Sequence, residues 1–130
     1  MWPLLVFRNI FKRLFAMKKF ESICENRVFE RLYRRGTSFV GKTVVTYVMF
    51  AKHDKVRMGI TTSKKIGNSV CRSRSRRVIR EAFRIIAPNV KKGVNIIFVA
   101  RGKTPYVKST DVLYEMSEHL KKAGILITDE

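Results

Sequence analysis

The sequence is poor in the residues that most enzymes use for chemistry. Its 130 residues include two cysteines, two histidines and ten acids. Cys24 and Cys71 are not spaced as CxxC, and His53 and His119 lie far apart, so neither a familiar zinc site nor a disulfide framework is indicated. The acids form no paired motif of the kind that acid–base catalysis uses. We therefore expect neither a catalytic side chain nor a protein-bound metal.

A long apolar run is also missing. The first sixteen residues, MWPLLVFRNIFKRLFA, are apolar but far shorter than the roughly 20 residues that span a bilayer. They also lack the basic start and the cleavage site of a signal peptide. We interpret residues 1–16 as an extension or the product of an upstream start codon, with Met17 as the alternative beginning; a short interfacial helix remains possible. Residues 17–130 are expected to form one cytoplasmic domain.

Positive charge, in contrast, is abundant. The chain has 28 Lys and Arg residues against ten acids, a net charge of +18. Clustered like charges repel one another and destabilise a compact state unless a counter-charged partner is bound. Nucleic acid is the leading candidate partner, because its phosphates bind clusters of Lys and Arg. A membrane surface rich in anionic lipid is the second candidate.

The charge is densest between residues 64 and 84, which read KKIGNSVCRSRSRRVIREAFR. This segment has eight basic residues and one acid, Glu81, which we expect to pair with Arg77 or Arg84. Apolar residues recur at helical spacing, which predicts a helix capped by Ser69 with one face on the core. Six of the eight basic residues are Arg, whose planar fork binds phosphate oxygens in pairs. The segment indicates a phosphate-binding surface; a merely solvated charged face is the alternative. The predicted stripe is Val78, Ile79, Ala82, Phe83 and Ile86.

Periodicity predicts an α/β (α+β) fold with the element order α-β-β-β-α-β-α. The first helix covers residues 26–35 with Asn26 as its cap, and a brief strand follows near residues 38–40. Residues 43–50 and 56–62 are predicted to pair as an antiparallel hairpin. Residues 94–100 are apolar enough for a strand inside the sheet that is covered on both faces. Ser109 or Thr110 is expected to cap the last helix.

Three aromatic residues form a second candidate site. Phe29 and Tyr33 lie four residues apart on the first helix, and Tyr47 lies on a strand of the sheet. They are placed to converge on a groove where unpaired bases stack. Ordinary core packing is the other explanation, and the residues alone favour it. Glu115 and Glu118, beside His119, are interpreted as surface contacts, with a metal pair as the alternative.

The basic segment and the early stretch NRVFERLYRRGTS closely resemble the bacterial ribonuclease P protein family. The resemblance runs from Met17 to about Leu126. It implies a single compact two-layer sandwich with an unusual left-handed βαβ crossover. Members usually have Arg-Asn-Arg at the start of the basic helix, where this chain has Arg72-Ser73-Arg74, and Lys where this chain has Arg76. Ser73 replaces an amide with a shorter hydroxyl, so one RNA contact differs.

The resemblance also implies a function. A catalytic RNA and its Mg²⁺ ions remove the 5′ leader from precursor tRNA, while the protein, expected to be a monomer, binds both RNAs without contributing a catalytic side chain. The alternatives are a ribosomal-type protein that binds structured RNA without assisting a reaction, and a metal-dependent nuclease that uses Glu115 and Glu118. The leader groove implied by the family is Phe29, Tyr33 and Tyr47. The surface implied for the RNA subunit is Lys64, Lys65, Asn68, Arg72, Ser73, Arg74, Arg76, Arg77 and Arg80.

Overall fold

The computed structural model describes residues 20–127 as a five-stranded sheet with three helices. The predicted order of elements is confirmed, with one addition, a two-residue first strand that is too short to produce a pattern. Residues 1–16 and Met17, interpreted above as an extension and an alternative start, lie outside the described residues. The strands are β1 (Glu21–Ser22), β2 (Thr37–Val40), β3 (Val44–Phe50), β4 (Val56–Thr61) and β5 (Val94–Ala100); the helices are α1 (Asn26–Arg35), α2 (Ser69–Ile86) and α3 (Ser109–Lys122).

Strand β5 is the centre of the sheet. The strand order is β1-β4-β5-β3-β2, in which β5 pairs antiparallel with β3 and parallel with β4. Six of its seven residues are buried, and Val99 is half-buried. A strand with apolar side chains on both faces removes most area from water at the middle of a covered sheet. The predicted interior position of this strand is confirmed.

The predicted hairpin between β3 and β4 is wrong. These strands are not neighbours, because β5 lies between them. The hairpin is formed instead by β2 and β3, which pair from Thr37 opposite Val48 to Val40 opposite Val45. Short polar connections favour local pairing, but here the burial of both faces of β5 outweighs that preference and separates the two strands.

The main core lies between the sheet and the helices α2 and α3. It includes Ile79 and Phe83 of α2, Phe98 of β5 and Met116 of α3, all with no exposed surface. Helix α1 covers the opposite face of β3 and β5, where Leu32 and other residues form a smaller cluster.

Helix α2 joins the parallel neighbours β4 and β5, so a βαβ unit is present; its left-handed crossover stays a prediction. Within residues 20–127, no helix combines the length and apolar character needed to cross a bilayer.

The predicted caps of α1 and α3 are wrong. Helix α1 begins after Glu25, whose backbone carbonyl accepts from Val28 and Phe29, so Asn26 is already helical. Helix α3 begins after Lys108, whose backbone N–H donates to Asp111 Oδ2 at 3.2 Å. The Asp111 carboxylate in the first turn thus satisfies the N–H of the residue that precedes the helix, which is one of the two reciprocal bonds of a capping box.

Polar contacts fasten α3 to the sheet. The Glu115 carboxylate accepts from the backbone N–H of Lys42 at 2.5 Å, from that of Thr43 at 2.9 Å and from the Thr43 hydroxyl. His119 is buried, with Nδ1 2.8 Å from Thr46 Oγ1 and its ring stacked on Phe39 at 6.0 Å. These contacts hold the turn between β2 and β3 against the helix.

His119 makes folding sensitive to acid. Burial lowers the pKa of His119 below its usual 6.5, the charge of Lys122 lowers it further, and Glu115 and Glu118 oppose the shift. The unfolded chain therefore takes up the proton more readily than the folded one. This contribution to stability is complete above about pH 6.5 and is lost as the pH falls through the lower folded pKa.

We expect His119→Gln, which can still bond Thr46, to reduce the fall in melting temperature between about pH 7.5 and about pH 5. The reason is that glutamine does not titrate in this range. Thermal unfolding followed by circular dichroism at several pH values measures the effect. The same pH dependence in both proteins would contradict it.

Candidate nucleic-acid interface

The basic segment begins with a tight turn. Lys64 and Lys65 are exposed on a single helical turn that is held by the buried Ile66. Gly67 then has φ of 136°, a left-handed conformation that glycine adopts without strain. Asn68 caps α2, since its Oδ1 accepts from the backbone N–H of Cys71 at 3.0 Å. The prediction of Ser69 as the cap is wrong, and the Asn68 side chain keeps its amide nitrogen and one lone pair of Oδ1 for an outside contact.

Helix α2 separates its apolar and charged residues as its spacing predicts. Ile79, Ala82 and Phe83 have no exposed surface, Ile86 is buried, and Val78 is half-buried. Ser75 is also fully buried, and its hydroxyl is satisfied there because it donates to the Cys71 carbonyl at 2.9 Å. A helix anchored in this way holds its arginines at fixed spacing. Arg74, Arg76, Arg77 and Arg80 are exposed, as is Ser73, and Arg72 is half-buried.

The arginines of α2 have no acidic partners within residues 20–127. The ion pairs there join Glu21 to Lys55 at 2.8 Å and to Arg57 at 3.4 Å, both away from α2. The expected pairing of Glu81 with Arg77 or Arg84 is wrong. An exposed ion pair on a helix gains little free energy in water, because the solvent screens the charges and the pair restricts two long side chains. The positive potential of α2 is therefore available to an anion from outside the protein.

The three aromatic residues converge on the opposite face of the sheet. The rings of Tyr33 and Tyr47 are 5.0 Å apart, edge to face, and Phe29 lies 6.5 Å from Tyr33. The Tyr33 hydroxyl is 2.6 Å from Oγ1 of Thr61, at the end of β4. Because Lys64 follows Thr61 by three residues, this aromatic groove (Phe29, Tyr33 and Tyr47) ends beside the basic turn.

The groove is part core and part surface. Phe29 and Tyr47 are half-buried against the cluster of Ile23, Leu32 and Ile97, whereas Tyr33 is 40% exposed. The two explanations weighed from the sequence are therefore not exclusive, since packing fixes the rings while one edge stays accessible. Rings held in this way lose little freedom when a base stacks on them.

A glycine makes room for this arrangement. A Cβ at Gly59 on β4 would lie 2.7 Å from Cζ of Phe29, closer than real contacts allow. The missing side chain lets the Phe29 ring lie directly on the backbone of the strand. The sequence shows this glycine, but its partner thirty residues away becomes visible only in the fold.

The acids do not assemble a metal site among residues 20–127. No group of three or more histidine, cysteine or acidic side chains there is placed to hold an ion. Glu115 is occupied by the turn between β2 and β3, and His119 is bonded to Thr46. Glu115 thus has a structural role, holding the turn between β2 and β3.

Known proteins are similar to this chain in both sequence and fold. The sequence model of the family described as Ribonuclease P matches residues 17–124. The ribonuclease P protein component of Clostridium novyi (strain NT) is 40% identical over 111 residues, covering 84% of this chain and 98% of that protein. This chain belongs to the ribonuclease P protein family.

Solved structures of ribonuclease P proteins agree with this membership. The Staphylococcus aureus protein matches with a TM-score of 0.71 and 31% identity, over 81% of this chain and 96% of that one. The Thermotoga maritima protein matches with a TM-score of 0.69 and 25% identity, over 78% and 96% of the two chains. The fold of this ribonuclease P family protein is therefore shared with relatives of low sequence identity.

One exposed residue beside α2 was not found by sequence reasoning. The Tyr106 hydroxyl lies 3.9 Å from Cys71 Sγ, and the ring is 73% exposed. The contact with the Cys71 thiol raises the pKa of Tyr106, although the charge of Arg74 opposes the shift, so the phenol is neutral at pH 7. The available signal was an aromatic residue between Lys103 and Lys108, next to a proline.

We expect Gly59→Ala to displace the Phe29 ring and to lower the free energy of unfolding by about 1 kcal/mol, because the added methyl group overpacks the contact. Urea denaturation measures the change. Gly102→Ala is the matched control, since a Cβ there meets nothing within 4 Å. Equal stability of the two variants would show that the Phe29 ring adjusts without cost.

Proposed function

We propose that this chain is the protein subunit of ribonuclease P. It binds the catalytic RNA through the basic surface formed by the turn before α2 and by α2 itself. It holds the 5′ leader of precursor tRNA in the aromatic groove, and so promotes removal of the leader to form the mature 5′ end. The observation that carries the proposal is the rigid, outward-facing arginine row on α2, which lacks acidic partners within residues 20–127.

The two surfaces suit two RNA ligands. The basic surface offers guanidinium groups at fixed spacing, which match the phosphates of a folded RNA. The aromatic groove offers ring faces and edges, which match the unpaired bases of a leader and show little sequence preference. Since the groove ends beside Lys64, the leader can remain near the RNA subunit while both are bound.

The metal chemistry belongs to the RNA in this proposal. Mg²⁺ held by the catalytic RNA and the substrate supplies the activated water for hydrolysis. No group of three or more histidine, cysteine or acidic side chains among residues 20–127 is placed to hold an ion, and the proposal places the metal on the RNA. Its side chains instead neutralise phosphates where two polyanions meet, which lowers the Mg²⁺ concentration needed for their association.

A magnesium titration of precursor tRNA cleavage tests the function. We expect the full-length protein to lower the Mg²⁺ concentration at which the catalytic RNA cuts, and to leave the precursor intact when added alone. An unchanged Mg²⁺ requirement despite RNA binding would favour a ribosomal-type protein that only binds structured RNA. Cleavage by the protein alone would contradict the proposal directly.

The groove has its own prediction. Phe29→Ala and Tyr47→Ala should each weaken the binding of leader-bearing tRNA to the holoenzyme by roughly fivefold or more, the loss of about one stacked base. Mature tRNA should bind almost unchanged. Filter binding with both substrates measures the difference.

Val28→Ala is the matched control for the groove, because Val28 packs on the same small cluster without offering a ring. It should bind both substrates as the wild type does. If the two aromatic variants lost affinity for leader-bearing and mature tRNA equally, the rings would be core residues without a leader contact.

A further inference from the structure

Against the residues that the structure describes, the exposed side of the Tyr106 ring makes no packing contact that would require an aromatic residue. Its ring is 73% exposed, and its one side-chain hydrogen bond within residues 20–127 is the long contact with Cys71. Removing a large apolar side chain from water is the usual benefit of an aromatic residue, and here that benefit is not realised in the isolated protein.

The loop nevertheless holds Tyr106 firmly. Thr104 is fully buried, accepts from the backbone N–H of Arg101 at 2.8 Å, and donates to the Thr43 carbonyl. Pro105 is buried as well, and the backbone N–H of Tyr106 donates to the carbonyl of Lys103 at 3.0 Å. The ring is therefore presented from a fixed backbone, which reduces the entropy lost on binding.

The surroundings of the ring are positive. Arg74 follows Cys71, the contact residue of Tyr106, by three residues on α2 and so lies on the same face of that helix. Lys103 and Lys108 are exposed on either side of Tyr106 in the chain. None of the three forms an ion pair with an acid in the described part of the chain. A neutral ring among cations is the combination that RNA-binding surfaces use, with stacking from the ring and phosphate contacts from the cations.

On the basis of the proposed function, we propose that Tyr106 stacks on an unpaired base of the catalytic RNA, beside the phosphate contact of Arg74. The RNA interface then extends from α2 across the turn that follows β5. A protein partner fits less well, because the cations around the ring would require an acidic patch on that partner.

Affinity for the catalytic RNA tests the contact. Tyr106→Ala should weaken binding about fivefold or more, whereas Tyr106→Phe, which keeps the ring, should bind nearly as well as the wild type. A loss in the phenylalanine variant as large as in the alanine variant would assign the effect to the hydroxyl and overturn the stacking proposal. Tyr114→Ala is the matched control, since Tyr114 is equally exposed, at 70%, on α3.

Salt dependence separates stacking from charge. Tyr106→Ala should keep the wild-type slope of log affinity against log salt, because no phosphate contact is lost. Arg76→Ala should reduce that slope by roughly 0.7 to 0.9, the loss of one neutralised phosphate. Unchanged affinity of Tyr106→Ala alongside a weakened Arg76→Ala would overturn this inference and leave the proposed function standing. Failure of the wild type to bind the RNA would overturn both.

Fluorescence provides a second measurement that does not depend on affinity. Trp2 is the only tryptophan, so a Trp2→Phe background leaves room for a single reporter. Tyr106→Trp in that background should lose emission when the RNA binds, as a stacked base quenches the indole. Tyr114→Trp should not. Equal responses from the two positions would contradict a base contact at Tyr106.

Discussion

The burial of β5 on both faces is the constraint on which the rest of the molecule depends. Helices α2 and α3 cover one face of the strand and α1 covers the other. With β5 at the centre, β3 and β4 lie on either side of it. Strand β3 carries Tyr47 of the aromatic groove, and β4 carries Gly59 and Thr61, which contact Phe29 and Tyr33. The same packing anchors α2 along its apolar side and leaves its arginines in water.

This arrangement separates the two surfaces proposed to bind RNA while keeping them connected. The basic surface is carried by a helix on one side of the sheet, and the groove lies on the other side. The connection is the end of β4, where Thr61 bonds Tyr33 and the chain continues into the basic turn. A sheet is stiff in its plane, so the distance between the surfaces is set by the fold and does not depend on a flexible linker.

What could be predicted from the sequence was local or periodic. The stripe of α2 recurs at helical spacing and β5 is a continuous apolar run, so both elements were predicted correctly. The pairing of β3 with β4 was predicted wrongly, because strand neighbours depend on a third strand more than thirty residues later. The caps failed for a related reason, since Asn and Ser are similarly good caps and residue type alone does not rank Asn68 above Ser69. The contact of Tyr106 with Cys71 links distant segments and leaves no periodic signal.

Gly59 and the Phe29 ring are in such close contact that a side chain at position 59 would overlap the ring. They share one volume, so a side chain can occupy it from the strand or from the helix but not from both. A larger residue at position 59 would therefore displace the Phe29 ring unless the residue at position 29 became smaller. The two positions thus jointly set the room that the aromatic groove leaves for a ligand.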